Sequence, residues 1–134
     1  MKLTPSNYYS HDTDYDYMSF SLFKDFQKCE AAALAKLKDD WKPKTSPVPL
    51  LVGNYIHSYF ENVKSHTDFL AANQKELMTR PTKTNPHGHL RAEFKVANSM
   101  IQTLQADKMF DHFYGPGDKE VIVTGKIDGY WWKG

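Results

Sequence analysis

The spacing of hydrophobic positions changes near residue 117, and this change separates two kinds of predicted structure. Before it, apolar residues recur every three or four positions, as on the buried face of an α-helix. After it, the period falls to two from Val121 to Thr124, as in a β-strand. We therefore predict an α+β fold, with a helical N-terminal shell followed by one antiparallel hairpin at about residues 120–133.

The helical period predicts four helices of different lengths. The first starts at Ser19 or Ser21, either of which can accept a hydrogen bond from a first-turn N–H group, and continues to about residue 38. Cys29 lies beside its apolar face and is predicted to be a small buried residue. The other three are predicted at residues 50–61, at 67–77 and from residue 90 to about 108. The apolar face of the last is marked by Phe94, Ala97, Ile101 and Leu104.

The helix at residues 50–61 carries the first candidate chemistry. Its predicted buried stripe consists of Val52, Ile56, Tyr59, Phe60 and Val63. On the adjoining stripe, steps of four residues bring together Gly53, His57 and Glu61. A glycine within a helix costs about 1 kcal/mol relative to alanine, which predicts that another backbone passes close to it.

His57 has two interpretations. An imidazole one turn before a carboxylate can form half of a metal site, in which case we expect His57 to face the hairpin near Asp128. The alternative is an ordinary surface or core-edge histidine on an amphipathic helix.

Three segments lack a regular period. Residues 1–17 are predicted to be an irregular arm, and the prolines of residues 39–49 and 78–89 predict loops within a single, incomplete domain over residues 1–134. In the second loop, His87 and His89 could hold a metal ion between them, but a solvated loop is the simpler interpretation.

Composition excludes several classes of protein. With 134 residues, the chain can form one ordinary core, and a formal net charge of +1 gives no overall field for attracting nucleic acid. The single cysteine excludes an intramolecular disulfide and fits a reducing cytoplasm. No apolar run has the length of a signal peptide core or of a membrane span.

The C-terminal region predicts a hairpin whose turn is Gly125-Lys126 or Asp128-Gly129, and Asp-Gly is the stronger hairpin signal. The chain ends soon after three aromatic residues, Tyr130, Trp131 and Trp132. Because a two-stranded ribbon is marginally stable alone, we expect a sheet that continues elsewhere or is shielded by helices.

Three motifs together resemble the front half of a phage or prophage RecE-type exonuclease, a PD-(D/E)xK nuclease of the RecB-like group. The first is the serine-initiated helix at residues 18–30, with its Phe-x2-Cys step ending at Cys29. The second is Gly-x3-His at Gly53 and His57, and the third is Val-Ile-Val-Thr-Gly-Lys-Ile-Asp-Gly at residues 121–129. The resemblance extends over nearly the whole chain.

The resemblance implies a Mg²⁺-dependent nuclease, with His57 as an accessory metal ligand and Asp128 as either a ligand or a turn residue. In such nucleases, carboxylates hold the metal and a lysine lies in an acid-x-Lys motif on the following strand. Here no Asp/Glu-x-Lys follows Asp128. We therefore expect a truncated nuclease-like domain that is inactive alone, encoded by a phage or prophage and located in the bacterial cytoplasm.

Two functions follow from these observations. The first is the N-terminal part of a DNA exonuclease of phage recombination, whose candidate phosphate contacts are Arg80, Lys83, Arg91 and Lys95, although such charges are usually only a solvated face. The second is a catalytically dead phage protein that binds and inhibits a bacterial defence nuclease, in the manner of an anti-CRISPR protein. Its candidate anchors are Tyr130, Trp131 and Trp132, since large aromatic residues are common in interfaces. Oligomerisation is compatible with either.

Overall fold

The computed structural model describes all 134 residues, which form two compact units. One unit is Thr45–Lys119, and the other combines Met1–Lys44 with Glu120–Gly134. The helices are α1 (Thr13–Asp16), α2 (Phe20–Lys28), α3 (Glu30–Leu37), α4 (Val48–Glu61), α5 (Val63–Ala72), α6 (Gln74–Leu77), α7 (Ala92–Ala106) and α8 (Lys108–Tyr114). The strands are β1 (Met18–Ser19), β2 (Thr124–Ile127) and β3 (Tyr130–Lys133). The α+β prediction is confirmed.

The Thr45–Lys119 unit is organised around α4 and α7. Its buried cluster consists of Tyr55, Leu77, Phe94, Ala97 and Ile101. The spacing of the three α7 members is that of one helical face, as predicted. Burial of a Phe, Leu or Ile side chain contributes about 1.5–3 kcal/mol, so this cluster is the main source of stability in the unit.

Helix α4 follows the proline-rich loop, and Val52, Ile56 and Phe60 of its predicted stripe pack against the core cluster. It ends at Glu61, and the side chain of the next residue, Asn62, accepts a hydrogen bond from the Ser65 N–H at 2.8 Å and so starts α5. Because the helix stops there, Val63 leaves its register and is 84% exposed. The predicted stripe is therefore wrong only at Val63 and at the exposed Tyr59, and it omitted Tyr55, which is the buried hydrophobic residue of the helix.

The first predicted helix is two helices, α2 and α3. Ser19 is the residue that caps α2, since its Oγ accepts from the Leu22 N–H at 3.2 Å. Cys29 separates the helices with an extended backbone, at φ −161° and ψ 102°. The prediction that Cys29 is buried is wrong, because the extended backbone removes its side chain from the helical face and leaves it exposed.

The sheet has three strands in the order β1-β3-β2. The β2–β3 hairpin turns at Asp128 and Gly129, which both have positive φ, at 50° and 83°. The Asp-Gly alternative is therefore the observed turn, of the primed kind that fits strand twist. Strand β1 pairs in parallel with β3. It was not predicted, because a strand of two residues is too short to show an alternating pattern of hydrophobic positions.

The remaining segments add short helices to the four predicted ones. The segment at residues 67–77 is divided between α5 and α6, residues 108–114 form α8, and the arm at residues 1–17 contains α1. The boundaries of a single domain over residues 1–134 stay a prediction. No helix in the chain is both long enough and apolar enough to cross a bilayer.

Candidate functional site

His57 lies on an exposed part of α4, one turn after Gly53 and one turn before Glu61. A Cβ atom added at Gly53 would have no heavy atom within 4 Å, apart from its own helical neighbourhood. The prediction that Gly53 accommodates a crossing backbone is therefore wrong. The glycine instead leaves open space one turn before the imidazole. The expectation that His57 faces the hairpin stays a prediction.

Asp128 is the first residue of the hairpin turn. Its φ of 50° lies in the left-handed region, where Asp and Asn are tolerated better than most side chains. The residue is exposed, and its conformation is fully explained by the turn that it forms. Its second candidate role, as a metal ligand, stays a prediction.

The chain does not gather a complete metal site. No group of three or more His, Cys, Asp or Glu side chains is placed so that it could hold a metal ion. Magnesium prefers several hard oxygen ligands in a near-octahedral arrangement. His57 and Asp128 do not meet that requirement, so the residues present do not fit a Mg²⁺ site by themselves.

One Glu-x-Lys sequence does occur in the chain, at Glu93-Phe94-Lys95, but it lies in helix α7. Residues two apart on a helix project about 200° apart around its axis, whereas residues two apart on a strand share one face. Phe94 between them is fully buried. Phe94 therefore serves the core, whereas the exposed Glu93 and Lys95 do not share one face as a carboxylate and an ammonium would on a strand.

The four candidate phosphate contacts are all exposed and all belong to the Thr45–Lys119 unit: Arg80, Lys83, Arg91 and Lys95. Arg80 and Lys83 lie in the loop that connects α6 to α7. Arg91 is the residue before α7, and Lys95 follows it by one turn, so these two side chains share a helix end. One pair of cations thus lies on the loop, and the other pair lies at the start of the helix that follows it.

The loop that carries Arg80 and Lys83 is closed at its base. Met78 and Leu90 form an antiparallel bridge, and the Thr79 N–H donates to the His89 carbonyl at 2.7 Å. Gly88 has a φ of 71°, and a Cβ there would lie 2.2 Å from the Thr79 carbonyl oxygen. Only glycine fits this position, so the loop has a defined conformation at its base.

His87 and His89 in this loop are both exposed. The Asn85 amide nitrogen lies 2.9 Å from Nε2 of His89 and 2.8 Å from the Gly88 carbonyl oxygen, to which it donates. The His89 ring is thus held by the loop itself. The solvated-loop interpretation accounts for these contacts, and the two histidines belong to no group of metal-binding side chains.

The three aromatic residues of β3 do not form one surface, since neighbouring residues of a strand point to opposite faces. Trp132 packs on Phe23 of α2, with ring centroids 5.4 Å apart. Tyr130 is 72% exposed and Trp131 is 47% exposed. The Lys126 ammonium lies 5.0 Å from the Trp131 ring centroid. Only Tyr130 and Trp131 are thus available as anchors for a partner.

Sequence reasoning missed a partly buried Ser–His pair between α4 and α5. The Ser58 Oγ lies 2.9 Å from Nδ1 of His66 and donates to the Tyr55 carbonyl at 3.0 Å. Burial lowers the pKa of His66, whose ring meets Tyr55 edge-on at 5.0 Å. Because Tyr55 and Tyr59 both meet the His66 ring edge-on, we interpret the pair as a structural link between the two helices. Nothing in its local sequence distinguishes His66 from the other histidines.

A second missed group is the buried ammonium of Lys133 in β3, whose side chain is 4% exposed. It pairs with the Asp14 carboxylate at 2.7 Å and donates to Thr13 Oγ1 at 2.6 Å and to the Tyr8 carbonyl at 3.0 Å. All its ammonium hydrogens are therefore satisfied. These contacts fasten the N-terminal arm to the sheet, and this lysine has a structural role.

Comparisons with known proteins agree with this fold. A crystal structure described as that of a "putative exonuclease" from Eubacterium rectale is similar over 99% of this chain, with a TM-score of 0.83 and 37% sequence identity. The chain spans about half of that protein, 48% of its length. No curated protein sequence matches. The model of the family described as "PDDEXK-like domain of unknown function (DUF3799)" matches residues 19–134. The chain therefore belongs to this family of nuclease-like PDDEXK domains.

Proposed function

We propose that this chain is the N-terminal portion of a Mg²⁺-dependent DNA exonuclease of phage-type recombination. The observation that carries the proposal is the 37% identity, over 99% of the chain, to a protein described as a "putative exonuclease". The family match supports a nuclease-like domain in the same direction. DNA is accordingly the expected partner, and Mg²⁺ is the expected cofactor.

In this proposal the chain contributes ligands and DNA contacts but not the whole catalytic set. His57 and Asp128 are its contribution to the metal site. The remaining carboxylate and the lysine would come from residues outside the matched half, in a longer protein such as the Eubacterium rectale one. Since the chain gathers no complete metal site, we expect it to show no DNA cleavage when assayed alone.

The exposed cations of the Thr45–Lys119 unit are the proposed DNA contacts. Arg80, Lys83, Arg91 and Lys95 would bind phosphates, which position the nucleic acid without reading its sequence. Each phosphate neutralised by a lysine or arginine releases counterions and makes binding weaker at high salt. The proposal therefore predicts salt-dependent and sequence-independent binding to DNA.

A chimera tests the proposal directly. This chain would replace the matched half of the Eubacterium rectale protein, and the product would be given end-labelled linear duplex DNA with Mg²⁺. We expect progressive release of label from the ends. Replacement of His57 or Asp128 by alanine should abolish this release if both hold the metal.

Two controls separate a failure of the assay from a failure of the proposed role of this chain. This chain alone should give no cleavage, and the complete Eubacterium rectale protein should be assayed under the same conditions. If that protein cleaves DNA and the folded chimera does not, the proposed role of this chain is wrong. Unchanged cleavage by the His57→Ala chimera would instead show that His57 is not a metal ligand.

The exposed rings of Tyr130 and Trp131 support one alternative proposal, in which the chain binds a bacterial defence nuclease. Aromatic side chains are frequent anchors at interfaces. A stable complex between this chain and such a nuclease, lost on replacement of both rings by alanine, would favour this alternative. Cleavage by the chimera would favour the exonuclease.

A further inference from the structure

The Thr45–Lys119 unit contains a cavity that has no role in the proposed nuclease site. Its volume is about 340 Å³, at the lower end of the range of roughly 300–1,000 Å³ found for small-molecule sites. It lies where the C-terminal parts of α4 and α7 meet α8. The lining residues that matter are Phe60, Gln105, Phe110, Asp111, Tyr114 and Lys119.

Three aromatic rings form one side of the cavity. Phe110 and Tyr114 are one turn apart on α8, and their rings are stacked with centroids 5.0 Å apart and planes 13° apart. Phe60 meets Phe110 edge-on, with centroids at 4.9 Å. This ring cluster offers aromatic faces on which a planar heterocycle can stack, and base stacking on an aromatic ring contributes about 1–3 kcal/mol.

Both hydrogen-bond acceptors and a hydrogen-bond donor lie at the edge of the same cavity. The Asp111 carboxylate, which can only accept hydrogen bonds when it is ionised, belongs to an exposed residue at this edge. The Lys119 ammonium donates to the Gly115 carbonyl at 3.2 Å and lies 5.3 Å from the Tyr114 ring centroid. The amide nitrogen of Gln105 donates to the Tyr59 hydroxyl at 3.0 Å, so its oxygen is the free acceptor.

We propose that this cavity binds a guanine base. The ring cluster would stack on the purine, and the Asp111 carboxylate would accept from the adjacent N1–H and N2–H groups, a bidentate arrangement that carboxylates favour. Lys119 would donate to the O6 or N7 acceptors of guanine. Adenine has no pair of adjacent N–H donors on its pairing edge and would lose the bidentate bond.

The local charge favours recognition through the base and not through the phosphate. Residues 105–119 contain three carboxylates, those of Asp107, Asp111 and Asp118, and two ammonium groups, those of Lys108 and Lys119. A slightly acidic surface does not attract a phosphate chain. The guanine could belong to a free nucleoside or nucleotide, or to an unpaired position of a nucleic acid strand, and the ring chemistry is the same in each.

The test is a titration of this chain with guanosine, followed by NMR of its backbone amides. We expect saturable shifts confined to the amides of α8 and of residues 105 and 119, with adenosine at least tenfold weaker. Asp111→Asn exchanges a charged acceptor for an amide and should weaken guanosine binding by about tenfold. Asp118→Asn, which removes a nearby carboxylate outside the cavity lining, should leave binding unchanged.

Three results would overturn the proposal: no saturable shifts with guanosine, equal binding of adenosine, or guanosine binding that is the same in folded Asp111→Asn. If Asp111→Asn does not give a native amide spectrum, Lys119→Gln replaces it, with the same expected direction. Titrations with dGMP and with a tetranucleotide ending in an unpaired guanine then identify the source. Tighter binding of the tetranucleotide assigns a strand end, and tighter binding of dGMP or guanosine assigns a free ligand.

Discussion

The Lys133 ammonium lies 2.7 Å from the Asp14 carboxylate, and its side chain is 4% exposed. Breaking a buried pair by removing one partner leaves a charge without compensation, which typically costs about 3–5 kcal/mol. Asp14 is 31% exposed, so water replaces part of the lost interaction. We expect Asp14→Asn to lower the free energy of unfolding by about 2 kcal/mol, measured by urea denaturation.

A double-mutant cycle separates the pair from its surroundings. Lys133→Met removes the ammonium, and Asp14→Asn in that background should cost much less than it does alone. An equal cost in both backgrounds would mean that Asp14 acts through something other than Lys133. Asp16, which pairs with the N-terminal ammonium at 2.9 Å in an exposed position, is the matched control, and Asp16→Asn should have little effect.

Two glycines should respond to alanine in opposite directions. Gly53 lies within α4 with open space around it, so Gly53→Ala should raise the free energy of unfolding by about 1 kcal/mol. Gly88→Ala should lower it by about 2 kcal/mol, because φ is 71° and the new Cβ would meet the Thr79 carbonyl. Thermal unfolding of both variants is the measurement. Loss of stability in Gly53→Ala would mean that the space beside His57 is occupied.

The parts of the fold that could be predicted are those with a local signal. The α7 core positions Phe94, Ala97 and Ile101 repeat at helical spacing, and Asp128-Gly129 has the residue types of a primed turn. Both predictions are confirmed. The break at Cys29 has no such signal, since neither proline nor glycine occurs there, and the sequence on both sides favours a helix.

Long-range contacts explain most of what could not be predicted. Lys133 is buried through residues of the arm about 120 positions earlier, and a lysine at the end of a strand is ordinarily solvated. His66 is half-buried for a more local reason, because α5 begins at the Asn62 cap and brings the His66 ring to Ser58 of α4. In the candidate site, the sequence indicated His57 and Asp128 by resemblance. The cavity beside α8 depends on three elements meeting, which no single stretch reveals.

His66 should make stability depend on pH. Burial lowers the pKa of His66 in the folded state below the unfolded value of about 6.5. Between the two pKa values, the unfolded chain binds more protons than the folded chain, so the free energy of unfolding increases with pH. The contribution of neutral His66 is therefore fully present above about pH 6.5 and is lost as the pH falls below it.

The measurement is the urea midpoint between pH 8 and pH 5, with His66→Gln for comparison. Above pH 7 the variant should be less stable than the parent, since it disturbs the contact with Ser58. As the pH falls, the difference should shrink, because only the parent must take up a proton at this position. A difference that stays constant or grows toward pH 5 would contradict the lowered pKa of His66. His87→Gln, in the exposed loop, is the matched control and should leave the pH dependence unchanged.

Asp128 can be tested for its two roles separately, because asparagine has the shape of aspartate and also tolerates the left-handed conformation. Asp128→Asn should change the free energy of unfolding by less than about 0.5 kcal/mol, whereas Asp128→Ala should cost about 1 kcal/mol because φ is 50°. In the chimera with the longer relative, Asp128→Asn should nonetheless remove Mg²⁺-dependent cleavage, since an amide replaces a charged oxygen ligand. Full cleavage by the Asp128→Asn chimera would show that the aspartate serves only the turn. If Asp128→Asn loses both stability and cleavage, disruption of the turn, and not the loss of a metal ligand, would explain the lost cleavage.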